Sequence, residues 1–146
     1  LGSIVDGSRD EGKRMRERFI ANSPAFKSLA DRVQRATTKA YLKGLDGRKI
    51  ILRHKHAALN TLLQGAGAIV MKKALCLLEN KLKLNTINYK FVANIHDEWQ
   101  IEVQESQSEF VGQLAVESII QAGEHFNLRC PLDGEYKVGD SWDGTH

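Results

Sequence analysis

An α+β fold, long helices packed on a small antiparallel sheet, is what three features of this 146-residue sequence predict. Between Tyr89 and Val103 apolar residues recur at every second position. They are Tyr89, Phe91, Ala93 and Ile95 before a break, and Trp99, Ile101 and Val103 after it, which is the period of paired strands. From about Ala57 to Leu84, Leu59, Leu63, Val70, Ala74 and Leu77 or Leu78 return at helical spacing and predict one long helix. Asp46-Gly47, between two short β-prone arms from Tyr41 to Arg53, is the strongest short-range hairpin signal. A chain of this length forms one domain that buries about two-thirds of the surface its unfolded form exposes.

In chain order, the first helix runs from Ser8 to Ile20. Ser8 is its N-cap, and Glu11 stands at the spacing of a capping box. Arg9, Lys13, Arg14, Arg16 and Arg18 surround a sparse stripe of Met15 and Phe19. A second helix opens at Ser23-Pro24, since Ser caps well and Pro is tolerated in the first turn. Phe26, Leu29 and Val33 carry it to about Ala40, with Arg32, Arg35 and Lys39 along the other side. Gly65 and Gly67 interrupt the long third helix at about 1 kcal/mol each, which suggests close packing or the close approach of a ligand. After the acidic hairpin, Glu105 to Phe126 reads as a helix with Phe110, Leu114, Ile119 or Ile120 and Ala122 toward the core, backing the sheet. Cys130 to Val138 reads as a closing strand or edge hairpin, and Trp142 as the anchor of the tail.

The net charge of +3 hides a split. Residues 1–55 hold fourteen Lys and Arg against six Asp and Glu, and residues 56–146 hold seven against twelve. A basic surface attracts phosphates whatever their sequence, while carboxylates on such a protein suit metal ions; two ordinary solvated faces would give the same asymmetry. No run of about 18 apolar residues and no signal peptide is seen, so the expectation is a cytoplasmic chain with no membrane partner. Cys76 and Cys130 lack metal or disulfide spacing and read as reduced, structural thiols. The chain opens on Leu1 rather than Met, which suggests a piece cut from something longer.

Two constellations carry candidate chemistry. His96-Asp97-Glu98 would connect the two strands near Tyr89 and Val103, and adjacent carboxylates on an exposed, rigid tip offer hard oxygen ligands to Mg²⁺. A solvated acidic turn is the competing reading, because Asp is common in turns. His56, Asn60 and Gln64 stand four apart, so on a helix they share one face, rising roughly 6 Å per step. Such a ladder can contact the acceptors that every base pair presents in the minor groove, or it can mark the wet side of an amphipathic helix.

Taken together, Gly44-Leu-Asp-Gly-Arg-Lys49, His56-Ala-Ala-Leu-Asn-Thr-Leu-Leu-Gln-Gly-Ala-Gly-Ala68 and His96-Asp-Glu98 resemble the C-terminal palm of family A DNA polymerases. The likeness is nearest to the replicative polymerases of podophages and extends to bacterial DNA polymerase I. It covers essentially the whole chain, from Leu1-Gly-Ser-Ile-Val5, similar to the segment after the fingers helix, to Ser141-Trp-Asp-Gly-Thr-His146, similar to the family's C-terminus. The resemblance implies that residues 1–40 are the end of the fingers and residues 41–146 are palm. It implies that Asp97 ligates the catalytic metals, that Glu98 supports that site as a second carboxylate, and that His96 lies near the primer 3′ end. Asn60 and Gln64 would make minor-groove contacts, with His56 at a position where bacterial members often have Arg. Arg48, with Lys49 and Arg53 beside it in the basic segment, would contact the DNA backbone.

Two Mg²⁺ ions, a template–primer duplex and deoxynucleoside triphosphates are the implied cofactors and partners, and a processivity factor is left open. The motif A aspartate and the motif B helix that the family needs are not found in this sequence, so the chain alone is expected to be inactive. A non-catalytic nucleic-acid-binding module built on the basic first 55 residues is the alternative. A His-Asp phosphohydrolase is a third reading, but no separate His and Asp stand at convincing metal-ligand positions.

Overall fold

A computed structural model describes residues 8–145. The stretch from Leu1 to Val5 and His146, both used in the family resemblance, lie outside the described residues. The chain divides into two compact units, up to Leu63 and from Gln64 onward.

In the first unit α1 spans Arg9–Asn22 and opens on the expected box. The Glu11 amide donates to Ser8 Oγ at 3.2 Å and the Ser8 amide donates to the Glu11 carboxylate at 2.6 Å. The bond from the Ser8 amide favours the ionised carboxylate and, with a smaller contribution from the Ser8 side chain, lowers the Glu11 pKa. The sparse stripe stays largely wet, Met15 and Phe19 being 47% and 56% exposed. Phe19 meets the edge of Phe26 across the α1–α2 corner, ring centres 5.4 Å apart.

Helix α2, Pro24–Ala36, stops short of the expected Ala40. A tighter turn, Thr37–Lys39, follows it, and Ala40 takes a left-handed φ of 57° that redirects the chain into β1, Tyr41–Lys43. Strand β1 pairs with β2, Lys49–Ile51, Leu42 opposite Ile50, and Gly47 supplies the positive φ of 86° in the loop between them. Val33, Leu42 and Ala58 bury together with Leu29, Ile50 and Leu62 as the core of this unit.

Helix α3 runs from Ala58 to Leu84, 27 residues, and carries the second unit's core. Val70, Ala74, Leu78 and Leu82 are buried at four-residue steps, a stripe that outlasts the expected one by a full turn, whereas Leu63 is 49% exposed. By length and composition alone the segment Lys55–Leu84 is long and apolar enough to cross a membrane, unlike the expectation that no such run occurs. Its buried stripe packs into the clusters of this unit. At the C-terminal end Thr86 is left-handed at φ 56°, its amide bonds the Lys83 carbonyl, and the Ile87 amide bonds the Leu82 carbonyl. This cap folds Ile87 back onto the core beside Leu82. Asn127, φ 52°, ends the fourth helix in the same way and seats Leu128.

Strands β3, Tyr89–Ile95, and β4, Glu98–Val103, form a second antiparallel pair, separate from the first sheet. Tyr89, Phe91, Ile101 and Val103 pack on Leu78 and Leu82 of α3 and on Val111 and Leu114 of α4, Ser108–His125. Trp99 touches both clusters of this unit, and its buried Nε1 finds no hydrogen-bond partner among the described residues. The inward face of α4 is Val111, Leu114, Ser118 and Ala122. Phe110, expected in the core, is 43% exposed because it falls one position off that face.

No strand forms in residues 130–138, contrary to the expected closing strand or edge hairpin. The segment is instead strapped to α4 through glycine notches. A Cβ at Gly112 would lie 2.5 Å from Cγ of Tyr136, and one at Gly123 would lie 2.9 Å from Cγ of Leu132. The strap ends in the single turn α5, Trp142–Thr145. Trp142, expected as the anchor, is 53% exposed; Leu132 packs against the core cluster of Val70, Ala74 and Ala122, and Tyr136 lies over Gly112. Cys76 and Cys130 are both free, and both are exposed rather than structural.

The Tyr136 hydroxyl donates to Glu109 at 2.7 Å, and this bond raises the tyrosine pKa above its ordinary 10.0. A raised pKa makes the contact fully stabilising below the ordinary tyrosine range and weakens it as pH rises through the shifted value. Tyr136 should therefore ionise later than an ordinary tyrosine in an alkaline absorbance titration. Glu109→Gln should bring it back toward its ordinary value; an unchanged titration would show that this bond does not hold the strap.

Candidate functional site

The acidic turn is built by the register of its strands. Phe91 pairs with Ile101, but after a bulge at Val92 the pairs are Ala93 with Gln100 and Ile95 with Glu98. Without the extra residue Asn94 would face Glu98 and the connection would be three residues long. The bulge shortens it to His96-Asp97, and His96 takes a left-handed φ of 53° to make the turn. Glu98, expected in the connection, is therefore the first residue of β4. Asp97 is exposed at the tip, while Glu98 is half-buried beside it.

Glu98 is held from its own strand. Gln100 Nε2 donates to Glu98 Oε1, which two-residue spacing on one strand face makes geometrically natural. Gln100 is opposite Ala93, a small neighbour, and its Oε1 lies 3.3 Å from the Thr145 hydroxyl on α5. Sequence reading missed Gln100 and Thr145; the signal for Gln100 was its alternation with Glu98. A cleft of about 970 Å³ lies over this face, lined among others by Asp97, Glu98, Gln100, Glu135, Tyr136 and Trp142.

The basic segment is presented on the first unit. Arg48 is folded back on Asp46, with Nε donating to Oδ2 at 2.7 Å and Nη2 at 2.6 Å from it. That bond lowers the Asp46 pKa and raises that of Arg48. Both side chains are exposed enough that the pair contributes little to stability. Lys49 lies over the Tyr41 ring at 5.1 Å, and Arg53 is exposed on the bend that follows β2.

His56 does not stand on the long helix. It belongs to the tighter turn Lys55–Ala57 that precedes α3, with its ring stacked on His54, centroids 5.5 Å apart. A turn with three residues per repeat breaks the four-residue ladder there, so the shared face is that of Asn60 and Gln64, both exposed on α3. Nothing lies within 4 Å of where a Cβ on Gly67 would point, so packing does not require that glycine.

Among the described residues no group of three or more His, Cys, Asp and Glu is gathered to hold a metal ion. Asp97 and Glu98 nevertheless match a divalent cation in donor chemistry, two adjacent carboxylates whose hard oxygens can ligate the ion while substrate oxygens fill other positions around it.

The sequence profile of DNA polymerase family A matches residues 1–144. The chain is 39% identical over 153 residues to the DNA-directed DNA polymerase of Escherichia phage Phieco32, covering all of this chain and 25% of that protein. It is 33% identical over 168 residues to the DNA-directed DNA polymerase of Escherichia phage T7, again over all of this chain and 24% of the relative. DNA polymerase I of Aquifex aeolicus is 32% identical over 145 residues, covering 97% of this chain and 25% of the relative. The chain thus spans about a quarter of the length of these relatives. In fold it is similar to the polymerase domain of Pol1 from M. smegmatis, solved in complex with DNA primer-template and dNTP. The TM-score is 0.74 at 23% identity, over 84% of this chain and 24% of that one.

Proposed function

The chain belongs to the family A DNA polymerases, and on that premise we propose that it forms the palm portion of a DNA-directed DNA polymerase, with the His96-Asp97 turn at the catalytic centre. The observation that carries this reading is the bulged hairpin, which presents Asp97 on an exposed two-residue tip and fixes Glu98 at the start of the paired strand. In this reading residues 1–40 are the end of the fingers and residues 41–146 the palm. The enzyme acts in the cytoplasm, on a template–primer duplex and deoxynucleoside triphosphates.

The reaction is in-line transfer of a nucleotidyl group. The primer 3′-hydroxyl oxygen bonds to the α-phosphorus of the incoming nucleotide and gives up its proton to solvent, while the bond from the α-phosphorus to the oxygen bridging to the β-phosphorus breaks and pyrophosphate leaves with the electron pair. Asp97 and Glu98 would hold Mg²⁺, two ions in the complete enzyme, which when bound stabilises the charge on the attacking and leaving oxygens. His96, next to Asp97 on the turn, lies by the primer terminus. Asn60 and Gln64 donate to minor-groove acceptors and so hold the paired terminus without reading its sequence. Arg48, Lys49 and Arg53 neutralise backbone phosphates, with His56 a further donor before the helix. Arg48 leaves Asp46 to do so, which an exposed ion pair permits at little cost. Because the motif A aspartate and motif B helix are not found in these residues, the chain by itself does not polymerise.

Primer extension with Mg²⁺ and the four deoxynucleotides, by a longer polypeptide that adds the upstream motifs to this chain, tests the proposal. Template-directed synthesis is expected. Duplex binding without synthesis would point instead to a nucleic-acid-binding module using the basic first unit. The DNA contacts have their own signature. Gln64→Ala and Asn60→Ala should each weaken duplex binding about five- to tenfold, the value of one or two hydrogen bonds, with the salt dependence unchanged. Arg53→Ala should instead lower the slope of log affinity against log salt by about one. Fluorescence anisotropy over a salt series separates the two classes; a changed slope in Gln64→Ala would remove it from the minor groove.

A further inference from the structure

Glu98 is tied to the C-terminal strap through Gln100. A carboxylate only accepts hydrogen bonds, so the amide nitrogen of Gln100 must face Glu98 and its carbonyl oxygen must face away. That oxygen meets Thr145, whose single hydroxyl proton is shared among Gln100 Oε1 at 3.3 Å, the Trp142 carbonyl at 3.1 Å and the Ser141 carbonyl at 3.5 Å. The amide is thereby given one orientation. Thr145 is in turn carried by a strap fixed to α4, where Tyr136 covers Gly112 and Leu132 fills the notch at Gly123. Gln100 also has room to lie along the strand, because its cross-strand partner is Ala93.

Resting on the polymerase reading, we propose that Gln100 is a positioning residue for Glu98, and that the strap from Leu132 to Thr145 holds Gln100 so that the Glu98 carboxylate is presented in one direction to the divalent metal. A glutamate side chain has three rotatable bonds, and a metal ligand that must first be ordered binds more weakly than one already fixed. Outer partners of metal ligands act in this way, and their loss typically lowers metal affinity about tenfold or more. Gln100 touches neither nucleotide nor primer in this account; its effect passes through Glu98.

The test uses the longer polymerase that carries this chain, bound to primer-template. Gln100→Leu should weaken Mn²⁺ binding, read by electron paramagnetic resonance, by about tenfold. It should raise by a similar factor the Mg²⁺ concentration for half-maximal single-turnover extension, with duplex affinity and melting temperature unchanged. Thr145→Val, which leaves Gln100 in place, should move both readings the same way by less, and decides the matter if Gln100→Leu folds poorly. In a Glu98→Ala background Gln100→Leu should cost nothing more, since the residue it positions is gone. Unchanged Mn²⁺ binding in both single variants, or a full additional loss in the Glu98→Ala background, overturns the proposal. Synthesis by the wild type together with either of those results leaves the polymerase reading intact, whereas no synthesis by the wild type removes both.

Discussion

Replacing Asp97 by Ala in the longer polymerase should lower the single-turnover rate of nucleotide addition by about a thousandfold or more, a barrier increase of roughly 4 kcal/mol. The primer-template dissociation constant should change less than about threefold. The separation of the two effects follows from where Asp97 stands. It is exposed at a two-residue tip, outside both apolar clusters of the second unit, so its removal empties no core and leaves the hairpin pairing intact. What is lost is one hard oxygen donor of the pair that would hold the metal. Asp97→Asn keeps the shape but halves the donor oxygens and removes the charge, and should fall nearly as far. Rapid-quench measurements alongside duplex titration check both. A modest rate loss in Asp97→Ala would place the chemistry elsewhere.

The largest loss of stability is expected at Leu78. It is fully buried and sits where α3, the β3–β4 hairpin and α4 meet, with Leu82, Val111, Leu114, Phe91 and Ile101 around it. Leu78→Ala removes three carbons from a closely packed site, and neighbours held on three different elements cannot all collapse into the space. The expected cost is about 3 kcal/mol, the transfer term plus the cavity term. Urea unfolding followed by Trp99 fluorescence should show an earlier midpoint with little change in slope. A cost below about 1 kcal/mol would mean that the site relaxes freely and that the hairpin is held mainly by its strand pairing.

These two residues also show what could be read in the sequence and what could not. The capping box at Ser8 and Glu11, the hairpin arms around Asp46-Gly47 and the alternation from Tyr89 to Val103 are local signals, set by backbone chemistry within a few residues, and the structure has each of them. Leu82 was missed and Phe110 misplaced because helical periodicity defines a stripe without saying which neighbour covers it. Cys130 to Val138 reads as a closing strand or edge hairpin in the sequence, but forms neither. Its real partners are glycine notches on α4, and the eleven-residue interval between Gly112 and Gly123, three helical turns, was the available clue. His56 dropped out of the ladder because the α-helix begins two residues after it.

At the turn, Asp97 stands where the alternation of its neighbours puts it, whereas Glu98 belongs to the strand rather than the connection. A bulge leaves no mark on simple alternation, and the extra residue at Val92 moves the register by one and draws Glu98 into the strand. That displacement puts Glu98 and Gln100 on one face and makes the link to Thr145 possible. Two adjacent carboxylates at a strand connection suit either Mg²⁺ or a solvated acidic turn in sequence, and the family resemblance is what separates the two readings.

Iron-directed cleavage asks whether the His96-Asp97 turn and Glu98 hold the catalytic metal. With Fe²⁺ in place of Mg²⁺ on the longer polymerase bound to primer-template, ascorbate and peroxide generate hydroxyl radicals that cut the backbone beside the bound ion. A cut between Ile95 and Trp99 is expected, competed away by Mg²⁺ and abolished by Asp97→Ala. A cut there that persists undiminished in Asp97→Ala, or cleavage confined to other parts of the chain, would contradict that placement of the metal.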